Sequence, residues 1–463
     1  MSDNGFSSSP AATMDFETTG EIQYSPWSVL DPMVMDYCVY YPVAYPYDFG
    51  DWKSEQMSWK ESCFLFAGLT DNITGFVTGP DAIELLRACT CTGYKNFPVG
   101  RSKHTCVTDD NGNIVMHGLA LRVTEDKVWL STIFPWVKGF ALQKGGFDVE
   151  FEDTSQSVFN FQLGGPRSLE IVEAACKEDL HDIPFLGFRE SSINGKPVRI
   201  MRMTMSGTLG YEIHGNTEDA KELYQAVLDA GEPYDIRRMG WRGYFITNTE
   251  NAMPNESSTF TTSGRDSELY MDGLRAQGFP VELWPGTPVL KGSSAAGGIE
   301  KFYRNPIELG WDVSVTFDHD FPGKKVLREL KENPKRKTVT LVWNVDDLLE
   351  IQRSVYTDNP LKQVNFPVHM YNLSHLEQDD VFDAEGNEIG VSSMLVFSAY
   401  EKMSMSIGTL DIAYCEPGTE VKVLWGDPGE RQMYVRATVE KFPILDLPSN
   451  KDYPIDQIPR YQG

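Results

Sequence analysis

The chain is short of positive charge, sparing with cysteine and free of long apolar runs. Lysine and arginine number 41 against 67 aspartates and glutamates, a formal charge of −26. A field of that sign opposes nucleic acid and anionic membrane surfaces. No apolar run reaches the length of a membrane span. The seven cysteines are odd in number and show no CxxC spacing, and Cys89-Thr90-Cys91 stands too isolated for a zinc half-site. Buried, reduced thiols in a cytoplasmic protein are the expectation. The opening residues lack a basic stretch followed by an apolar core and read as a polar, poorly ordered tail over residues 1–23. A Walker A loop, a GxGxxG after a strand, HExxH and GxSxG are all missing. Phosphate-loop, nicotinamide, zinc-peptidase and α/β-hydrolase chemistry therefore lose their local support.

What is present is a long, mixed, globular composition: 463 residues, 41% hydrophobic and 12% aromatic, enough for several cores. Residues 24–59 are crowded with Tyr, Trp and Pro, and Pro42 and Pro46 forbid a regular helix there. The stretch reads as an extended arm packed by its own rings, or as an aromatic wall facing a flat ligand. Residues 54–65 have helical composition, residues 73–78 read as a strand, and Asp81 is placed to cap the helix DAIELLRACT. HTCVTDD and NIVMHGLALRV read as strands joined by a hairpin turn at Asp110-Asn111-Gly112, with KVWLSTIF as the next strand and residues 134–145 as a helix. VEFEDTSQSVFNFQLGG reads as a strand pair and PRSLEIVEAAC as a helix. KPVRIMRMTM and GYEIHG read as strands, and EDAKELYQAVLDAG as an amphipathic helix ending at Gly231. This mixture predicts an α+β fold, not a wound parallel sheet. Residues 251–298 read as a long loop and KENPKRK as a polar linker. The short β runs after it predict a C-terminal β-barrel or sandwich. The expected division is two interleaved α+β subdomains over 24–330 and a β-rich domain over 331–463.

Several dispersed segments carry a resemblance. They are FQLGGP (Phe161 to Pro166), SGTLGYEI (Ser206 to Ile213), RRMGWRGYFITNTEN (Arg237 to Asn251), NPIELGW with FDHDFPG inside the stretch Lys301 to Gly323, VTLVWNVDD and PGTEVKVLWG. In order and spacing they resemble the folate-dependent aromatic O-demethylases, the vanillate and syringate branch of the glycine-cleavage T-protein (aminomethyltransferase) superfamily. The resemblance implies a T-protein-like multidomain fold and tetrahydrofolate as cofactor. It also implies methyl transfer from a small methoxylated aromatic substrate, methoxybenzoate-like, giving 5-methyltetrahydrofolate and a phenol. A demethylase of a small sulfonium or amine, a folate-binding protein without methyl transfer, and an aminomethyl transferase are the alternatives.

On the cofactor side, Glu212 falls where the family places its pterin-binding acid, since a carboxylate accepts from the neighbouring N–H donors of a pterin edge. An exposed strand glutamate is the plain alternative. Arg242, Tyr244, Asn248 and Glu250 complete the expected folate set, with a structural ion pair as the other reading of Arg242 and Glu250. On the substrate side the chain departs from its relatives. Leu69-Thr70-Asp71-Asn72 replaces a histidine-bearing run, His117 a hairpin aspartate, Thr132 or a neighbour an arginine, Thr105 a tyrosine and Thr208 a glutamate. His117, with an ordinary pKa of about 6.5, is the expected proton donor. His104 is expected on the same hairpin face. Asp71 is expected to position substrate or water, and Tyr41 to donate a phenolic hydrogen bond or stack on an aryl ring. Packing or turn roles are the alternative for each. Asp318, His319 and Asp320 are adjacent, so their side chains diverge on an extended chain and no metal is expected.

Overall fold

The computed structural model describes residues 23–24, 33–40, 43–70, 73–155, 157–256, 258–278, 288–370 and 375–462. The tail expected over 1–23 lies almost wholly outside them. Two sheets and a barrel organise the chain. The first sheet runs Phe188–Ile193, Lys196–Met201, Gly210–Asn216, Val158–Gly164, Cys63–Phe66 and Ile236–Arg238. Its pairs are antiparallel except the last, which is parallel. Side chains alternate along each strand. Phe161, Leu163, Tyr211 and Ile213 enter a core roofed by the helices Ser168–Cys176 and Ala220–Gly231. The intervening residues face the other way. The strand Val158–Gly164 leaves the sheet through Gly165, whose φ of +134° favours glycine and where a Cβ would lie 2.6 Å from the Ser62 carbonyl oxygen.

The second sheet is antiparallel throughout: Ser102–Thr108, Ile114–Arg122, Lys127–Leu130, Gly75–Thr78 and Glu150–Asp153. The helices Ala82–Cys89, Phe134–Lys144 and Glu268–Arg275 cover one face. The opposite face carries Leu119, Leu121, Trp129 and Phe76, which pack against Val158 and Met201 of the first sheet. The two sheets thus meet, and each residue fully buried there contributes about 1.5–3 kcal/mol.

The C-terminal strands Arg336–Trp343, His375–Phe382, Glu388–Ser398, Met403–Asp411, Glu420–Trp425 and Met433–Glu440 close on themselves through the pairing of the second with the fifth. The barrel reading holds, and closure leaves no free edge among these strands. Tyr45 of the aromatic arm, Trp59, Phe64, Phe66, Trp241 and Tyr244 join Val396 and Met405 of the barrel in one apolar seam. The arm itself is a three-stranded sheet of Gln23–Tyr24, Val43–Asp48 and Asp36–Tyr40.

Several local expectations are corrected. Glu150–Asp153 and Val158–Gly164 are strands, but each joins a different sheet. The first helix, Trp52–Glu61, stops early because Cys63–Phe66 is drawn into the first sheet. Asp81 does not cap its helix; its carboxylate accepts from Asp148 N. The long loop contains the helix Glu268–Arg275, capped by the Ser267 hydroxyl. The helix Val345–Ser354, capped by the Asn344 side chain, was not anticipated.

Candidate functional site

The face of the first sheet turned toward the second sheet carries a polar cluster. Glu212 and His214 alternate with core residues on one strand, and Gln162 lies directly opposite Glu212 on its neighbour. Glu212 is 1% exposed. Gln162 Nε2 donates to its Oε1 at 2.7 Å and His214 Nε2 donates to its Oε2 at 3.0 Å. The Tyr244 hydroxyl donates to Gln162 Oε1 at 3.1 Å, and its ring stacks on Phe66 with centroids 3.9 Å apart. Burial raises the Tyr244 phenol well above its ordinary range, and the Glu212 charge adds to the rise. Asn248 lies one turn along the same helix. Both of its amide atoms are buried without a partner, as is His214 Nδ1. Unsatisfied buried amides are rare and costly, so this cluster has hydrogen-bonding capacity that the described residues do not use. Gln162 and His214 were missed in the sequence. The signal was there, since His214 follows Glu212 by two positions and so shares its face.

The two ends of the helix Trp241–Glu250 serve other purposes. Arg242 donates to Asp48 and lies 4.7 Å from the Tyr47 ring centroid. Glu250 accepts from Gln56 Nε2 and the Ser398 hydroxyl on one oxygen, and from Trp59 Nε1 at 3.2 Å and Lys60 Nζ at 2.5 Å on the other. Arg242 and Glu250 are therefore not paired with each other. Glu250 ties the first helix to the barrel, and its partners are all protein groups. Nearby Glu55 accepts from Phe49 N and Gly240 N, each at 2.8 Å, yet burial pushes its carboxyl up to about 7.

His104 and His117 do share a face. In the register of their hairpin His104 lies opposite Leu119 and His117 opposite Cys106, on the side that meets the first sheet. His104 Nε2 and His117 Nδ1 are 3.2 Å apart, so one ring donates to the other. The Trp311 ring lies over both, with centroids 4.9 Å from His104 and 4.6 Å from His117. Phe260 adds a further ring 6.2 Å from His117. Burial lowers His104 to about 4, and burial with the His104 charge lowers His117 to about 3. His117 is therefore not an imidazolium acid at neutral pH, as its ordinary pKa suggests. Both rings are neutral, and each carries one N–H. The Thr132 hydroxyl donates to the His117 carbonyl, which anchors the strand from its neighbour. Trp129, on the same sheet, packs its ring 5.3 Å from His214.

Tyr41 and Asp71, like Asn72, lie outside the described residues. The FDHD segment is a tether: His319 meets Asp318 at 2.9 Å and the Thr90 carbonyl at 2.9 Å. A trio not foreseen in the sequence is Glu173, Asp179 and His181, whose potential metal-ligand atoms lie within 4.8 Å of one another. Its members are engaged with one another, with Leu180 N, with Arg460 and with the Ile458 carbonyl. Among the described residues no helix is long and apolar enough to cross a membrane.

The chain has relatives. Residues 29–269 match the model of the GCVT N-terminal domain. A sesamin methylene transferase from a Sinomonas species is 34% identical over 430 residues, which cover 90% of this chain and 93% of that protein. A syringate O-demethylase from a Sphingobium species is 26% identical, covering 83% of this chain and 84% of that protein. The crystal structure of the glycine cleavage system aminomethyltransferase T from Bartonella henselae superposes with a TM-score of 0.67 at 16% identity, over 92% of this chain and 99% of that one. The family match and these relatives define a transferase of the aminomethyltransferase superfamily, with the fold to suit. The chain belongs to the GCVT family.

Proposed function

We propose that the protein moves a one-carbon unit from a methoxylated aromatic compound to tetrahydrofolate, leaving a phenol. The observation that carries this reading is the cluster around Glu212. Its carboxylate, already oriented by Gln162 and His214, retains acceptor capacity, and the unpartnered Asn248 amide lies on the adjoining helix. A pterin edge presents adjacent donors and acceptors of the kind that a carboxylate and an amide complement. The residues present therefore fit the cofactor, with Glu212 and Asn248 as its polar partners and Tyr244 on Phe66 as the wall beside them. Arg242 and Glu250 stay out of this set, because Asp48 and the barrel seam occupy them.

Tetrahydrofolate supplies the nitrogen nucleophile that accepts the one-carbon group. The chain's own work is at the ether oxygen. As the carbon–oxygen bond breaks, its electron pair goes to the aryl oxygen, which needs a hydrogen bond and finally a proton, balanced by the one that the accepting nitrogen gives up on taking the methyl group. The neutral His104–His117 pair offers there the one N–H that its internal hydrogen bond leaves free, without a net charge to desolvate. Trp311 lies over the pair, gives an aryl ring a flat surface and keeps water away. Tyr41 and Asp71 are proposed as further substrate contacts.

The test is incubation with tetrahydrofolate and a panel of methoxyaryl, sulfonium and methylamine compounds, with the folate product followed by mass. A methylfolate formed with a methoxyaryl donor alone is the expected result. Bound tetrahydrofolate with no product from any donor identifies a binding protein instead. A second reading is favoured by the name of the 34%-identical relative, which transfers a methylene unit. A product at the methylene oxidation level in the same assay selects it.

A further inference from the structure

The cofactor-side cluster contains a histidine to which the family resemblance gave no role. His214 is 0% exposed and faces the second sheet beside Glu212. Its Nε2 makes the second of the two hydrogen bonds that orient the Glu212 carboxylate, at 3.0 Å. The other ring nitrogen, Nδ1, is buried without a partner. An orphaned acceptor in a dry site is a net cost, which an apolar ring of the same shape would avoid. Packing against Trp129, 5.3 Å away, does not require the nitrogen either. The imidazole is therefore accounted for by its Nε2–H.

The neighbours sharpen the point. In register across the sheet, Arg199 flanks His214 on one side and Asn160 on the other. Arg199 is directed to Glu190, with its Nε 2.8 Å from Oε1. Among the described residues the hydrogen bonds to Glu212 come from neither Arg199 nor Asn160. The donors on that carboxylate are Gln162 and His214, one for each oxygen. If His214 is lost, one oxygen of a buried carboxylate is left without a donor and the group is free to rotate about its terminal bond. Glu212 would then no longer present its remaining lone pairs in a fixed plane.

We infer that His214 is a positioning residue for the cofactor site, holding the Glu212 carboxylate in the orientation that receives the pterin N–H groups through a single Nε2–H bond. The inference rests on the folate reading of Glu212.

Two substitutions separate the hydrogen bond from the ring. His214→Phe keeps a ring against Trp129 and deletes the donor. His214→Gln keeps an N–H donor of similar reach and deletes the ring. Tetrahydrofolate affinity is measured by calorimetry on both, with thermal melting of each to register folding. The expected result is a loss of roughly ten- to hundredfold for His214→Phe, as for a hydrogen bond to a charged group, and recovery to within a few-fold of the parent for His214→Gln. Full affinity in His214→Phe, or a loss in His214→Gln alone, assigns the residue to packing and overturns the inference. Glu212→Gln in the same titration keeps the two proposals apart. If it binds tetrahydrofolate as well as the parent does, the folate reading itself fails. If it loses binding while His214→Phe does not, only the role of His214 fails.

Discussion

Two buried glutamates, 38 positions apart in sequence, divide the molecule between structure and site. Glu250 is 0% exposed and receives four donors, among them the ammonium of Lys60. Glu212 is almost as deeply buried but receives two donors among the described residues, one from an amide and one from an imidazole. Burial alone does not tell a binding acid from a structural one. The tally of donors does, because a carboxylate has about four acceptor directions. Glu250 has its capacity filled by the helix Trp52–Glu61 and the barrel. Glu212 has half of it in reserve, next to an amide with no hydrogen-bond partner among the described residues.

The most severe way to break this contrast is Glu250→Ala. It strands the Lys60 ammonium, whose side chain is 2% exposed and whose pKa burial already lowers against the pull of Glu250. Removing one member of a buried ion pair costs about 3–5 kcal/mol. Urea unfolding should register that loss. An unchanged midpoint would mean the seam is wetter than its geometry indicates. Any folded fraction should still bind tetrahydrofolate, since no hydrogen bond joins Glu250 to the Glu212 set among the described residues.

The next effect falls on chemistry. His117→Phe preserves a ring beneath Trp311 and removes a donor from the substrate face. Losing one preorganised donor to a developing oxyanion costs roughly 10²–10³ in turnover. Tetrahydrofolate affinity should stay near that of the parent. Single-turnover methyl transfer at saturating tetrahydrofolate reads this directly. A turnover unchanged within a few-fold returns His117 to a packing role.

The contrast between the two acids also explains what the sequence disclosed. The alternation of Tyr211, Glu212, Ile213 and His214 is visible in GYEIHG, and with it the fact that Glu212 and His214 share a face. The hairpin at residues 109–113 was legible, because Asp109 accepts from Asn111 N and Asn113 N as its turn residues suggest. The occupation of Glu250 was not legible. Its donors come from positions about 190 residues earlier and from Ser398, 148 residues later, and no local pattern records such pairings. The same limit applies to Glu150–Asp153 and Val158–Gly164, adjacent in sequence yet in different sheets. The depressed histidines were hidden for a related reason. Trp311, which helps to bury His104 and His117, comes from a segment about two hundred residues downstream.

That burial yields the smallest effect and the sharpest question about the site, namely whether the substrate face is as dry as the seam around Glu250. His104 at about 4 and His117 at about 3 both lie below the 6.5 of a solvated imidazole, principally through burial. An unfolded chain protonates both rings near 6.5, whereas the folded chain does not until the pH nears the lower values. Between those limits the unfolded state binds more protons, so stability rises with pH. The contribution is fully present above about 6.5 and is lost progressively as the pH falls toward 4 for His104 and 3 for His117. Replacing both residues, as His104→Asn with His117→Asn, removes that titration and should flatten the fall in the urea midpoint over this window relative to the parent. The buried carboxylates are common to both proteins and cancel in the comparison. A double variant with the parent's slope would mean that water reaches the pair in solution. The substrate face would then be open where the Glu250 seam is closed, and the neutral-donor role argued for His117 would lose its physical basis.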